Sequence, residues 1–139
     1  MSHIVATVEQ IENVENLNIV TLSSQSSRIK MVSLELSEKI VPGRKVKLAC
    51  KPTSVALAKR ARSEETFSKA LSYANQIPVR IDSIEEGKLL SSVLVRFGEA
   101  SLEALILSDA LGRMSLKEGD EVTALIKVSD LSILEVLDD

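Results

Sequence analysis

Val46-Lys47-Leu48-Ala49-Cys50-Lys51-Pro52-Thr53-Ser54-Val55-Ala56-Leu57 has a counterpart 76 residues on (46 to 122): Val122-Thr123-Ala124-Leu125-Ile126-Lys127-Val128-Ser129-Asp130-Leu131-Ser132-Ile133. Each copy follows a Gly turn, Val41-Pro42-Gly43-Arg44-Lys45 or Lys117-Glu118-Gly119-Asp120-Glu121, and then gives alternating apolar residues, a Lys and small hydroxyl residues. The chain is one module used twice. Apolar positions fall at Val46, Leu48 and Cys50 before the lysine but at Val55 and Leu57 after it, and the second copy slips at the same place. A strand has a side-chain period of two, so a slip of one implies a bulge or kink. There the ladder opens and frees backbone N–H groups beside a Lys and hydroxyls, the donor set that suits a compact oxyanion. The competing reading of the same residues is a barrel corner with a surface lysine.

Length agrees with duplication. A chain of 139 residues divides into two units of about 65 residues. Units so small bury little core individually, so packing between lobes or between chains contributes to stability. No apolar run reaches the length of a membrane span, and Met1-Ser2-His3-Ile4 has no basic segment before an apolar stretch, which sets the expectation of a cytoplasmic protein. Cys50, the only cysteine, lies on the apolar phase of its strand and reads as a buried small hydrophobe. His3, the only histidine, reads as a surface residue; one His leaves no His cluster for a metal and no basis for a Ser/His/Asp triad. Residues 1–69 carry 11 Lys/Arg against 7 Asp/Glu, and residues 70–139 carry 6 against 13, so halves of +4 and −7 give the net charge of −3. Opposite signs favour one chain's first lobe meeting another chain's second; drift of solvent-facing residues gives the same numbers.

Around the opening stretch the pattern is β throughout. Ile4–Ile11, Leu17–Leu22 and Arg28–Leu34 alternate as strands, with Ser23–Ser27 as a polar hairpin tip, and residues 33–40 leave room for a short helical turn stopped by Pro42-Gly43. Lys59, Arg60 and Arg62 read as a solvated linker, Ser63 as an N-cap, and Phe67, Ala70, Leu71 and Ala74 fall at helical spacing. In the second lobe, Ile77–Ile84 is the first strand, with Pro78 suggesting a sheet edge. Residues 89–97 and 103–107 give further strands, and Ser108–Met114 a short helix capped by Ser108. The expected fold is mainly β: two tandem OB-like barrels of about five strands, each with a short helix. Lobe one spans residues 1–60, a helical linker 61–71, and lobe two 72–139.

These residues resemble the Mop or molbindin (TOBE) family, which binds molybdate and tungstate. Ser72-Tyr73-Ala74-Asn75-Gln76-Ile77 is similar to the family's opening Ser-Ala-Arg-Asn-Gln-Leu. Residues 116–127, from Leu116-Lys117-Glu118-Gly119-Asp120 to Ile126-Lys127, are similar to its Leu-x-x-Gly-Asp-x-Val-x-Ala-x-Ile-Lys, and Cys50-Lys51-Pro52-Thr53-Ser54-Val55 to its Ile-Lys-Ala-Thr-Ser-Val. The resemblance covers nearly the whole chain except the linker. It implies a tandem di-Mop protein that holds a tetrahedral oxyanion between lobes or subunits, with molybdate or tungstate as ligand and no other cofactor. Carried over position by position, it implicates Lys51, Thr53 and Ser54 in lobe one, Lys127 and Ser129 in lobe two, and Ser72, Asn75 and Gln76 in the second opening motif. It implies a homotrimer acting in storage, buffering or sensing. Three departures stand out: the first opening motif is cut to Met1-Ser2-His3-Ile4, Ala74 stands where the family has Arg, and Asp130 replaces a hydroxyl residue. Asp130 beside a dianion is repulsive, which makes Lys51 the expected better site. The alternative is an oligomerising regulatory module of a molybdate transport or regulation system that has lost anion binding. With only Phe67, Tyr73 and Phe97 as aromatics on an acidic chain, direct nucleic-acid binding is not expected. No DNA-binding segment precedes the first lobe in this sequence, so neither is a direct repressor role. No nucleophile–base pair or Gly-rich phosphate loop points to an enzyme.

Overall fold

Alternation at Ile4, Ala6 and Val8, at Val20 and Leu22, and at Val46, Leu48 and Cys50 sends one face of each strand into a common core, where every one of these side chains is buried. A computed structural model describes residues 2–59 and 64–137. In chain order the elements are β1 (Ser2–Val14), β2 (Leu17–Ser24), β3 (Ser27–Ser33), β4 (Lys45–Cys50), a 3-10 turn (Pro52–Ser54), β5 (Ala56–Lys59), α1 (Glu64–Lys69), β6 (Asn75–Glu86), β7 (Leu90–Phe97), β8 (Ala100–Leu107), α2 (Ser108–Arg113), β9 (Glu121–Ile126), a second 3-10 turn (Val128–Asp130) and β10 (Leu131–Val136). They form two five-stranded sheets, ordered β10-β4-β1-β2-β3 and β5-β9-β6-β7-β8. The fold is mainly β, two OB-like curled sheets in tandem, as expected.

The sheets do not follow chain order. After β4 the chain leaves the first sheet, and β5 pairs with β9 of the second; after β9 it leaves the second, and β10 pairs with β4 of the first. The phase slip at Pro52 therefore marks a crossover and not a bulge inside one strand. Leu131 pairs with Cys50 and Ile133 with Leu48, while Glu135 lies opposite Lys47 with a 3.6 Å ion pair. Each sheet thus borrows its last strand from the other repeat.

Both repeats share one internal clip. β1 bulges between Val8 and Gln10 and β6 between Ile81 and Ser83. Onto each bulge the Gly turn closes: Gly43 N donates to Val8 O (2.7 Å) and Val8 N to Arg44 O (2.8 Å), and Gly119 N donates to Ile81 O (2.8 Å) and Ile81 N to Asp120 O (2.8 Å). The turns need φ of +93° at Gly43 and +90° at Gly119, which side chains with a Cβ adopt only under strain.

Four local expectations change. Residues 34–44 hold no helix: β1–β3 and β6–β8 correspond by a shift of 73 (Val20 to Val93), β4 and β9 by 76 (Val46 to Val122), so lobe one lacks three residues there, nearly one helical turn. α2 exists, but Leu107 is its N-cap, because the Ser108 hydroxyl donates to Gly87 O (2.7 Å) and lies 2.7 Å from Ser91 Oγ. Pro78 is in the central strand β6, not an edge strand; it precedes the first β6–β7 pair, where only β9 flanks the chain. The linker helix is confined to Glu64–Lys69, and Arg60, Arg62 and the expected cap Ser63 lie outside the described residues.

Candidate functional site at the strand crossover

The crossover brings the two copies of the opening stretch side by side. Cys50 pairs with Leu131, and Ala56 pairs with Leu125, so residues 51–55 and 126–130 run antiparallel between two closed ends and form no ladder with each other. Each arc is a 3-10 turn introduced by a lysine with nearly the same backbone: Lys51 at φ −72°, ψ 140° and Lys127 at φ −68°, ψ 147°. Each closes on a short internal bond, Ser54 N to Lys51 O (2.9 Å) and Asp130 N to Lys127 O (3.0 Å). The apolar residue after each turn, Val55 or Leu131, is buried and anchors the arc. First-turn N–H groups of such a helix have no acceptor within it.

Lys51, Thr53, Lys127 and Ser129 are exposed and Ser54 is half-buried. Among the described residues none of their side chains has a hydrogen-bond or ion-pair partner. Each turn thus presents an unpartnered lysine and hydroxyl side chains beside the crossover. Lys51 and Asp130 each lie one residue beyond the Cys50–Leu131 pair; past them the turns diverge, Pro52–Ser54 packing on β8 and Val128–Asp130 on β3. The Asp130 carboxylate also acts at Cys50: burial first and that charge second push the Cys50 thiol up to about 11. Asp130, in the turn that Lys127 introduces, thus also reaches the strand end that precedes Lys51.

The opening motif enters beside these lysines, since Asn75 pairs with Ile126 and, in lobe one, Ser2 with Cys50. Ser72 is exposed near that entry. The two amides are occupied otherwise. Asn75, fully buried, accepts from Lys30 N (2.7 Å) and donates to Lys30 O (2.9 Å), tying β6 to edge strand β3 of the other sheet. Gln76 Nε2 donates to Tyr73 O (2.7 Å) and Ser68 O (3.1 Å), fixing the linker onto the strand. Sequence reasoning placed both among ligands because type and spacing do not reveal where an amide points. Among the described residues no group of three or more His, Cys, Asp or Glu is placed to hold a metal ion, and no helix is long and apolar enough to cross a membrane.

Residues 71–133 match the family model of the TOBE domain. A crystal structure of the cytoplasmic molybdate-binding protein ModG with molybdate bound superposes with a TM-score of 0.83 at 19% identity, covering 94% of this chain and 93% of that one. The structure of a molybdate-binding protein from Sporomusa ovata is 26% identical, covering 47% of this chain and 97% of that one, with a TM-score of 0.45. No curated protein matches the sequence.

Proposed function

We propose that this chain binds a tetrahedral dianion, molybdate or tungstate, at the strand crossover, and acts as a cytoplasmic binding protein for storage, buffering or sensing rather than as an enzyme. The observation that supports it most is the pair of Lys-plus-hydroxyl 3-10 turns of matching backbone, each on a connection that crosses between the sheets and each with unpartnered side chains. The TOBE match over residues 71–133 and the shared fold with a molybdate-bound protein agree with it. Lys127, Ser54 and Thr53 form the stronger half of the cradle; Lys51 and Ser129 form the half that Asp130 opposes. Ser72 adds a hydroxyl from the opening motif, while Asn75 and Gln76 act by positioning the strands around the cradle.

Exposure of these side chains leaves an oxyanion half open to water on one chain, where charge–charge attraction is weak. A second chain laid over the turns would exclude that water, which is the physical case for sites at interfaces between chains; the homotrimer is the assembly that the family resemblance implies. The second reading, an oligomerising module that has lost anion binding, is favoured by the carboxylate of Asp130 at the Lys51 end.

Calorimetry and thermal unfolding with molybdate, tungstate and sulfate separate the two readings. Binding to the native state must raise Tm. The expected pattern is a Tm rise with molybdate or tungstate, a loss of about tenfold in affinity for Lys127→Ala, and a smaller loss for Lys51→Ala. No Tm rise with any oxyanion sinks the oxyanion reading. Native mass spectrometry that finds only monomer sinks the interface placement.

A further inference from the structure

The pseudo-twofold relation between the repeats builds a pair of equivalent clefts where each hairpin tip meets the other lobe. One, about 600 Å³, is lined by Ser26, Ser27, Arg28, Gln76, Pro78 and Gly98 together with Arg80, Arg96 and Glu121. The other, about 410 Å³, is lined by His3, Val5, Gln25, Glu99, Ala100 and Ser101. Under the shift of 73 that relates β1–β3 to β6–β8, His3 corresponds to Gln76, Val5 to Pro78, Gln25 to Gly98, and Glu99, Ala100 and Ser101 to Ser26, Ser27 and Arg28. The fold supplies both clefts, but only one is basic.

The cations in the larger cleft are unusually placed. Arg80 and Arg96 lie directly opposite each other on β6 and β7, and the equivalent pair in lobe one is Thr7 and Ser23. Like charges directly opposite on neighbouring strands, with Cβ atoms about 4.5–5.5 Å apart, destabilise a sheet. Asp82, in the bulge, relieves only Arg96, through a 3.2 Å ion pair. Arg28, brought from the first lobe's hairpin, and Arg80 have no ion-pair partner among the described residues. Glu121 stands opposite Arg80 on the other side, so the lining has one acid for three guanidinium groups. Repulsion that folding does not require, confined to one of two equivalent clefts, is relieved by a bound anion.

We propose that this cleft is a second anion site, separate from the crossover, for a small molecule bearing a di- or triphosphate. A guanidinium presents a planar fork to phosphate oxygens. Two forks on adjacent strands and a third across the cleft match a chain of linked phosphates, whereas one tetrahedral oxyanion fills a small part of 600 Å³. Volumes of this size accommodate ligands larger than a simple ion.

The test is calorimetry on the full chain with pyrophosphate, tripolyphosphate, ATP and citrate at 50 and 200 mM NaCl. Expected is binding of the linked phosphates that weakens with salt, loses about tenfold for each of Arg28→Gln and Arg80→Gln, and is unchanged by saturating molybdate. Both arginines are exposed, and far-UV circular dichroism checks that each variant folds. ATP binding more tightly than tripolyphosphate identifies the ligand as a nucleotide, and equal binding of the two identifies the phosphate chain itself. Four results would overturn the proposal: no binding of any phosphate, full affinity in both variants, one-for-one displacement by molybdate, or citrate binding as tightly as tripolyphosphate.

Discussion

Replacing Asp130 by Ser tests the crossover reading most directly, because it makes the second arc match the first, where Ser54 holds the equivalent position (54 to 130, the shift of 76). Asp130 and Lys51 each lie one residue beyond the Leu131–Cys50 pair. With a spacing of about 5 Å carried one residue past that pair, a dianion held by Lys51 would sit about 6 Å from that carboxylate. Coulomb's law for charges of two and one gives about 1.4 kcal/mol of repulsion at the dielectric of water, and screening at 0.15 M salt roughly halves it. The exposed setting argues for the water value rather than the larger interior ones. Asp130→Ser is therefore expected to tighten molybdate or tungstate binding three- to tenfold, more at low salt than at high. It also changes the weight of Lys51. In the native sequence Lys51→Ala costs little; in the Asp130→Ser background it should cost about as much as Lys127→Ala, a non-additivity that a double-mutant cycle by calorimetry reads out. Unchanged affinity at both salt concentrations, or perfectly additive effects of Lys51→Ala and Asp130→Ser, refutes the placement of Asp130 against the Lys51 end.

Three further outcomes follow from the geometry. Asn75→Leu leaves the Lys30 N–H and C=O without their buried partner, and a stability loss of about 2–4 kcal/mol by urea unfolding is expected; Asn75→Asp, which buries a carboxylate against Lys30 O, should lose at least as much. Cys50, whose thiol is raised to about 11 from 9.0, binds its proton more tightly folded than unfolded. It therefore contributes stability that is complete below pH 9 and lost as pH rises through 11. Between pH 8 and pH 11 the native protein should lose on the order of 1–2 kcal/mol more stability than Cys50→Val, which lacks the titrating group, and iodoacetamide at pH 8 should label the folded thiol slowly. Gly43→Ala meets no neighbour within 4 Å but must hold φ of +93°, so a cost of about 1–2 kcal/mol in urea should come from backbone conformation alone.

Much of the fold is written in alternation, because a period of two shows which face of a strand is buried whatever lies beside it. The same period is silent about neighbours. Val55 and Leu57 announce that the chain changes phase after Pro52, yet nothing local tells that Ala56 will pair with Leu125 of the other repeat, a partner 69 residues away (56 to 125). That is why the two lysine turns were legible while the pairing that brings Asp130 beside Cys50 was not. Asn75 shows the same limit for side chains: its type fits an anion ligand, and only the position of β3 turns its amide into a clamp between sheets. Arg80 and Arg96 escaped notice because they are 16 residues apart (80 to 96) in sequence and adjacent only once β6 and β7 pair.

The exchange of β5 and β10 makes cradle and fold one cooperative object. In a barrel that kept its own last strand, a turn carrying Lys51 would end one lobe and leave its partner untouched. Here each turn is the strap by which one repeat completes the other's sheet, since β5 reaches β9 only through the first turn and β10 reaches β4 only through the second. An anion bound at the proposed site on that crossing would therefore favour both sheets at once, and its binding free energy would add to the stability of the whole chain rather than of one lobe. Conversely, loosening either sheet would disturb the turns. Each turn is held between strands of two different sheets, a restraint that a kinked strand at the corner of one barrel would lack.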